Sequence, residues 1–474
     1  MKVKRTIGDL APSGSLLQRR QFLVGAGSVG LSIAAGPTNP LAAQTGTIKP
    51  DHRLRIAPLS LELAPGKIVK TFAYNGTVPG PALRLPLGRQ ITVEIQNDTD
   101  RDDIIHWHGL YVPSDADGAM EEGSPMIPAG GSRLYTFSPK PSGTRWYHSH
   151  TIAGEDLTRS TYSGMFGFMI IEPATDAGHY DQEVLLAAHF WEGTWVSMQD
   201  IRKGPPPDNG LEVMYSSASF NDRTLGHGEP VRVREGQRVL FRLLNASATE
   251  NIRLALPGHR FTVIALDGNP VPMPQTTAVL SLAAAERADV VVEMNHPGVW
   301  ILGGVNGESR NMGLGVVVEY ANQSGEPQWQ QPGGQDWDYT AFGRSDSARD
   351  PDERLDLTFE KIPGGRGGYN RWTINGKSWP DTNPLLTVRE GARYRLAMFN
   401  NSGDNHPVHL HRHTFEVTKI NGKSTSGLMK DTLNLPRFSR AEIDFTADDP
   451  GPTLFHCHHQ DHQDEGFMGL VTYT

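Results

Sequence analysis

The chain has 474 residues, 37% of them hydrophobic and 20% charged, with a single cysteine and a formal net charge of −9. That is the composition of a globular protein with room for roughly two to four domains that each bury a core. The acidic balance argues against nucleic acid and anionic membrane surfaces as partners, and one cysteine excludes an intrachain disulfide framework.

In chain order, residues 1–43 read as a twin-arginine signal peptide. Arg19 and Arg20 precede Gln21, Phe22 and Leu23, an apolar Gly- and Ala-rich stretch follows to Gly36, and Leu41, Ala42 and Ala43 offer a small-residue cleavage site. The expectation is export by the twin-arginine machinery to a periplasmic or secreted location, with no membrane span in the mature chain. Beyond it one segment occurs three times, at Leu83–Asn97, Val231–Asn245 and Leu386–Asn400. In each copy a turn glycine (Gly88, Gly236, Gly391) precedes the asparagine by nine residues. Alternating apolar residues on both sides of that glycine read as a hairpin. The copies are spaced by about one β-sandwich domain. The predicted fold class is all-β, with three consecutive Greek-key β-sandwich domains. These are domain 1 over 44–175, domain 2 over 176–325, a Gly/Pro-rich linker over 326–352 and domain 3 over 353–474.

Four clusters of the form His-x-His carry the chemistry: His106 with His108, His148 with His150, His409 with His411, and His456 with His458, the last enclosing Cys457. Eighteen histidines placed at random give about 0.7 such pairs. Imidazoles without carboxylates favour copper over magnesium, calcium or manganese, and one Cys with two His is the ligand set of a blue-copper electron-transfer centre. Structural zinc more often uses several cysteines. Eight paired histidines can hold a multi-metal cluster, and His406, Cys457 and His462 complete a separate mononuclear site. In an extended strand Cys457 faces one way and His456 and His458 the other, so one stretch of backbone joins the two sites as a short electron path.

These residues resemble the multicopper oxidases over essentially the whole mature chain. The carrying motifs are His-Trp-His-Gly at 106–109, Trp-Tyr-His-Ser-His at 146–150, His-Pro-Val-His-Leu-His at 406–411 and His-Cys-His-x3-His ending at His462. The resemblance implies domains of cupredoxin type and four coppers per chain: one type 1, one type 2 and two type 3. It assigns His406, Cys457 and His462 to type 1, His106 and His409 to type 2, and His108, His148, His150, His411, His456 and His458 to type 3. Asp117, followed by Gly118, is similar to the acid that supplies protons to the cluster in many laccases. Asp461, Asp464, Glu155 and Asp156 are weaker candidates. The axial position ten residues past the cysteine falls on Phe467, which cannot coordinate, and Met468 points to the opposite strand face.

The middle copy of the repeat lacks ligands, with Ala255 opposite His409 and Pro257 opposite His411, and reads as a spacer. His259 matches His413, so both read as structural, as do His52, His179, His189, His227, His296 and His459. Arg412 stands where the family usually has glycine and is expected to point to solvent. The segment after His150 is longer than is usual in the family. The activity implied is laccase-like: one-electron oxidation of a small phenolic or aromatic substrate coupled to four-electron reduction of O2 to water. Alternatives are a cuprous or ferrous metallo-oxidase, ranked lower because the 13 methionines are dispersed, and a copper-free cupredoxin scaffold in cell-envelope assembly, ranked last because the full ligand set is present.

Overall fold

A computed structural model describes residues 49–173, 178–198, 210–333, 337–346 and 348–474. The signal peptide expected over 1–43 lies outside the described residues. No helix among them is long and apolar enough to cross a membrane.

Strands pair into three successive two-sheet sandwiches. The first has a sheet with His52–Ala64, Lys67–Tyr74, Ile91–Asn97 and Ser132–Phe137, facing one with Gly80–Pro86, Ile105–His106, Gly143–Ser149 and Phe166–Glu172. The middle and third sandwiches each pair a six-stranded with a five-stranded sheet, and their strand orders match position for position. Apolar residues of the middle and third sandwiches merge into one cluster that includes Cys457 and Phe467. The first sandwich has its own core, and Leu63, Trp146, Trp191 and Leu244 help seal it against the middle one.

The repeated segment is real, but it is not a hairpin. Gly80–Pro86 pairs with Phe166–Glu172, whereas Ile91–Asn97 pairs with the strands of the opposite sheet. Val231–Val233 and Arg238–Asn245, and Leu386–Val388 and Arg393–Asn400, likewise lie in different sheets. Each glycine, at φ 71°, 83° and 79°, turns the chain from one sheet to the other. Alternation reports only that one strand face is buried, and a corner between sheets buries the same face as a hairpin. The asparagine nine residues on also has its reason here. Asn97, Asn245 and Asn400 are fully buried, and each amide donates to one carbonyl of the loop that follows it (Arg101, Glu250, Asp404) and to one from a more distant segment (Ile127, Leu282, Leu435).

His189 takes the structural role expected of it, at the boundary of the first and middle sandwiches. Its Nδ1 lies 2.8 Å from Ala246 O and its Nε2 3.4 Å from Tyr162 O, and burial pulls its pKa down to about 4. An unfolded histidine takes up its proton below about pH 6.5, so the unfolded chain binds more protons than the folded one between those values. Stability present above pH 6.5 is therefore lost as pH falls towards 4, by on the order of 3 kcal/mol from this residue. Thermal unfolding of the copper-free chain from pH 7 to 4 should show a shallower decline in His189→Gln than in the unaltered protein.

Candidate metal centres

Two cross-strand histidine pairs found the larger site. His106 pairs with His148 in the first sandwich, and His409 pairs with His456 in the third. His108, His150, His411 and His458 follow within two residues of these four, and all eight are at most 5% exposed. The sandwiches bring the two sets face to face: the rings of His108 and His409 stack at 3.8 Å and those of His106 and His411 at 3.9 Å. In the middle sandwich the equivalent strands pair Ala255 with Gly303, so the framework is repeated without the histidines.

Hydrogen bonding decides which nitrogens face inward. Nδ1 of His106, His148, His409 and His456 lies 2.7–2.9 Å from the carbonyls of Asp117, Ser149, Asp431 and Cys457, and Nδ1 of His411 lies 2.7 Å from Asp117 Oδ2. Those acceptors place the N–H on Nδ1 and leave the Nε2 lone pair free. His411 Nε2 and His456 Nε2 then stand 3.0 Å apart, and His106 Nε2 and His409 Nε2 3.4 Å apart, with no proton between them. His108 Nδ1, His148 Nε2 and both nitrogens of His150 and His458 are buried without a partner. Facing lone pairs in a buried site cost free energy unless a cation sits among them. Burial first, and neighbouring imidazoles second, hold His108, His148, His150, His409, His456 and His458 far below the ordinary histidine range. His411 falls to about 4. These seven are neutral at pH 7, the state that binds metal, so the site fits copper.

The second site is built from the same two strands of the third sandwich and the short helix Gln460–Asp464 that follows them. Cys457 Sγ lies 3.6 Å from His406 Nδ1 and 3.4 Å from His462 Nδ1, and the two nitrogens are 3.1 Å apart. Ser402 Oγ, itself bonded to Asn400, accepts from His406 Nε2 at 2.9 Å and leaves Nδ1 free. Phe467 lies against His406, with ring centres 4.8 Å apart, and Trp372 against His462 at 4.0 Å. Met468 pairs with His456 in the adjacent strand and packs with Ala119, Leu454 and Leu470, away from the thiol.

Three buried carboxylates surround the cluster. Asp117 is fully buried rather than solvated at its turn, 2.7 Å from His411 Nδ1 and 3.2 Å from His106 Nδ1. Gly118 is required there, since a Cβ would meet Ile105 O at 1.9 Å. Burial would raise the Asp117 pKa, but His106 and His411 outweigh it and hold it far below the usual carboxylate range. Glu122, 3.3 Å from His411 Nδ1, is pushed the other way by burial and by Asp117. Asp431 accepts from His108 Nε2 at 3.2 Å. Sequence reasoning missed Glu122 and Asp431, and no ligand motif contains either. Of the weaker candidates, Asp461 sits 4.0 Å from His462, Asp464 accepts from the backbone of Ala153 and Gly154, Asp156 pairs with Arg101, and Glu155 is exposed.

Arg412 corrects an expectation: it is 1% exposed, not in solvent. Its guanidinium donates to the carbonyls of Val112, Pro452, Asp449 and Pro450 and to Thr453 Oγ1, and pairs with Asp449. An arginine with all its donors met escapes the penalty that would otherwise expel it. His413 bonds His411 O and Tyr473 Oη, and His259 bonds Pro257 O and Tyr320 Oη in the same way. The shared pattern makes both structural. The segment after His150 joins the second site's helix, with Ser160 and Thr161 both donating to Gln460.

Multicopper oxidase domain profiles match residues 59–176, 188–318 and 357–474. The chain belongs to the multicopper oxidase family, and so is an oxidoreductase that binds copper. It is 29% identical to the multicopper oxidase MmcO of Mycobacterium tuberculosis over 98% of this chain and 99% of that protein. It is 27% identical to Laccase-2 of Botryotinia fuckeliana over 90% of this chain and 80% of the relative. Its fold superposes on a multi-copper oxidase from Pseudomonas Thermotolerans with a TM-score of 0.69 at 26% identity, covering 89% of this chain and 98% of the other.

Proposed function

We propose that this chain is a laccase-like oxidase holding four coppers: type 1 by His406, Cys457 and His462; type 2 by His106 and His409; and the type 3 pair by His108, His148, His150, His411, His456 and His458. The observation that carries this reading is the set of buried imidazole lone pairs aimed at one another, joined to the thiol site through His456, Cys457 and His458. Copper there would supply one-electron oxidation of a phenolic or aromatic reductant and four-electron reduction of O2 to water.

The chain's own residues provide the rest. The burial of Cys457 raises its thiol pKa, so only a bound cation makes the thiolate stable. Asp117 Oδ1 and Glu122 Oε2 are buried without protein partners beside His411, and they are the atoms proposed to hand protons to the cluster. Export through the twin-arginine route to the periplasm or exterior belongs to the same proposal, on the strength of Arg19, Arg20 and the apolar stretch after them. So do the domain limits given above. Copper content, the blue band and oxygen uptake with phenols, aromatic amines, Cu(I) and Fe(II) test the assignment, and a chain that binds no copper refutes it.

A second reading, oxidation of cuprous or ferrous ions, is favoured by one feature. The His462 side chain is only 4% exposed and adjoins Asp461, whose pKa burial raises, with Glu212, Asp464 and Asp404 adding to the shift. A covered, acidic approach suits a small cation better than a bulky phenol. Faster turnover of Cu(I) or Fe(II) than of every phenol would establish this reading.

Phe467→Met should lower the type 1 potential, because a weak thioether ligand stabilises Cu(II) where a phenyl ring offers none. Redox titration of the blue band measures it. An unchanged potential would show that the new thioether does not reach the metal.

A further inference from the structure

Each half of the cluster is braced by one aspartate, in matching fashion. The Asp117 carbonyl lies 2.9 Å from His106 Nδ1 while its carboxylate lies 2.7 Å from His411 Nδ1. The Asp431 carbonyl lies 2.7 Å from His409 Nδ1 while its Oδ1 lies 3.2 Å from His108 Nε2. Each aspartate thus holds one histidine assigned to type 2 and one assigned to type 3. They differ in what stands behind them. Asp117 adjoins Glu122, whereas Asp431 is gripped by Arg287 of the middle sandwich, Nη1 to Oδ1 at 2.6 Å and Nη2 to Oδ2 at 2.6 Å. Arg145 of the first sandwich adds Nη1 to Oδ2 at 3.2 Å, and all three side chains are fully buried. The junction also accounts for Gly109, directly after His108 at φ 83°. A Cβ there would come within 2.6 Å of Asp431 Oδ2 and 3.0 Å of both Arg145 Cδ and Arg287 Nη2.

We propose that Arg287 is a positioning residue for the copper cluster: through Asp431, the sandwich that carries none of the proposed ligands sets the orientation and copper affinity of His108 and His409. A carboxylate held by two parallel guanidinium donors cannot rotate. Its Oδ1 keeps the N–H of His108 on Nε2 and turns the unpartnered Nδ1 inward. His106, His148, His409, His411 and His456 are held through Nδ1 instead, so His108 presents the opposite nitrogen because of this junction. Such outer partners orient a metal-ligating histidine and fix its tautomer. The middle sandwich is therefore a working part of the site and not the spacer expected from its missing ligands.

The inference rests on the copper reading above, and the experiment separates the two. Arg287→Lys keeps the charge but loses the fork, and Gly109→Ala crowds the junction without altering any ligand or charge. Copper-loaded wild type and variants are equilibrated against graded chelator, reading copper per chain, the type 2 EPR signal and the blue absorbance. Both variants should bind cluster copper about 10–100-fold more weakly with the blue absorbance intact. Wild type without cluster copper sinks the copper reading. Variants that match a copper-loaded wild type overturn the role of Arg287, as does loss of the blue band in parallel, which a merely structural residue would cause. The unaltered copper-free chain, labelled with 15N-histidine, tests the same point without any variant: the His108 proton should reside on Nε2, and a proton on Nδ1 overturns the inference.

Discussion

Cys457→Ser abolishes the blue absorption and drops steady-state oxidase turnover to background, while the chain still folds. The side chain is fully buried with His406 Nδ1 and His462 Nδ1 on either side, so a serine hydroxyl finds an acceptor and avoids the cost of a buried unpaired group. What it lacks is the soft, easily oxidised sulfur that a blue-copper site needs. Of the three ligands proposed for its site, the thiolate is also the one flanked on both sides by ligands proposed for the cluster, His456 and His458. Losing it cuts the covalent route for electrons. Absorption near the blue band and oxygen uptake check this together, and a copper-loaded variant that keeps its colour refutes the ligand assignment.

Asp117→Asn leaves copper content and reduction of the type 1 site unchanged but slows reoxidation by O2 by about 10²-fold or more, the scale of a lost general acid–base group. Turning O2 into water consumes four protons inside a closed, buried site. Asp117 is held as the anion by His106 and His411, against the upward pull of burial, and the neighbouring Glu122 is pushed towards its protonated form by burial and by Asp117. Those opposite directions give the pair a proton acceptor and a proton donor side by side. Asparagine keeps the hydrogen bond to His411 and removes the charge. The deficit should widen as pH rises, because free protons become scarcer while the relay is missing. Stopped-flow reoxidation at several pH values measures it, and wild-type rates would return Asp117 to a purely bracing role.

Much of this was legible in the chain because the signals are local. Ligand spacing is a property of one strand: His-x-His puts two imidazoles on one face, and the cysteine between His456 and His458 must point the other way. The turn glycine and following asparagine announced a repeated module, since each copy solves the same local problem with the same residues. What alternation could not convey was the partner of each strand. Gly80–Pro86 and Ile91–Asn97 show the same pattern whether they pair with each other or with opposite sheets. Arg412 was misjudged for a related reason. Burying a guanidinium is unfavourable on its own, and the carbonyls that reverse the balance come from the distant Val112 and the 449–452 turn.

The sequence by itself determined the metal type, the ligands proposed for it, the three-module plan and the absence of a thioether at position 467, because each depends on residue identities at set positions along the chain, within one motif or from one repeat to the next. Only the tertiary structure decided how those ligands are held. Asp117, Glu122, Asp431, Arg145 and Arg287 come from three sandwiches, and the Arg287–Asp431 grip spans 144 positions of the chain. A hydrogen bond between residues so far apart leaves no periodicity to read. It exists because folding removes water from charges that must then find one another.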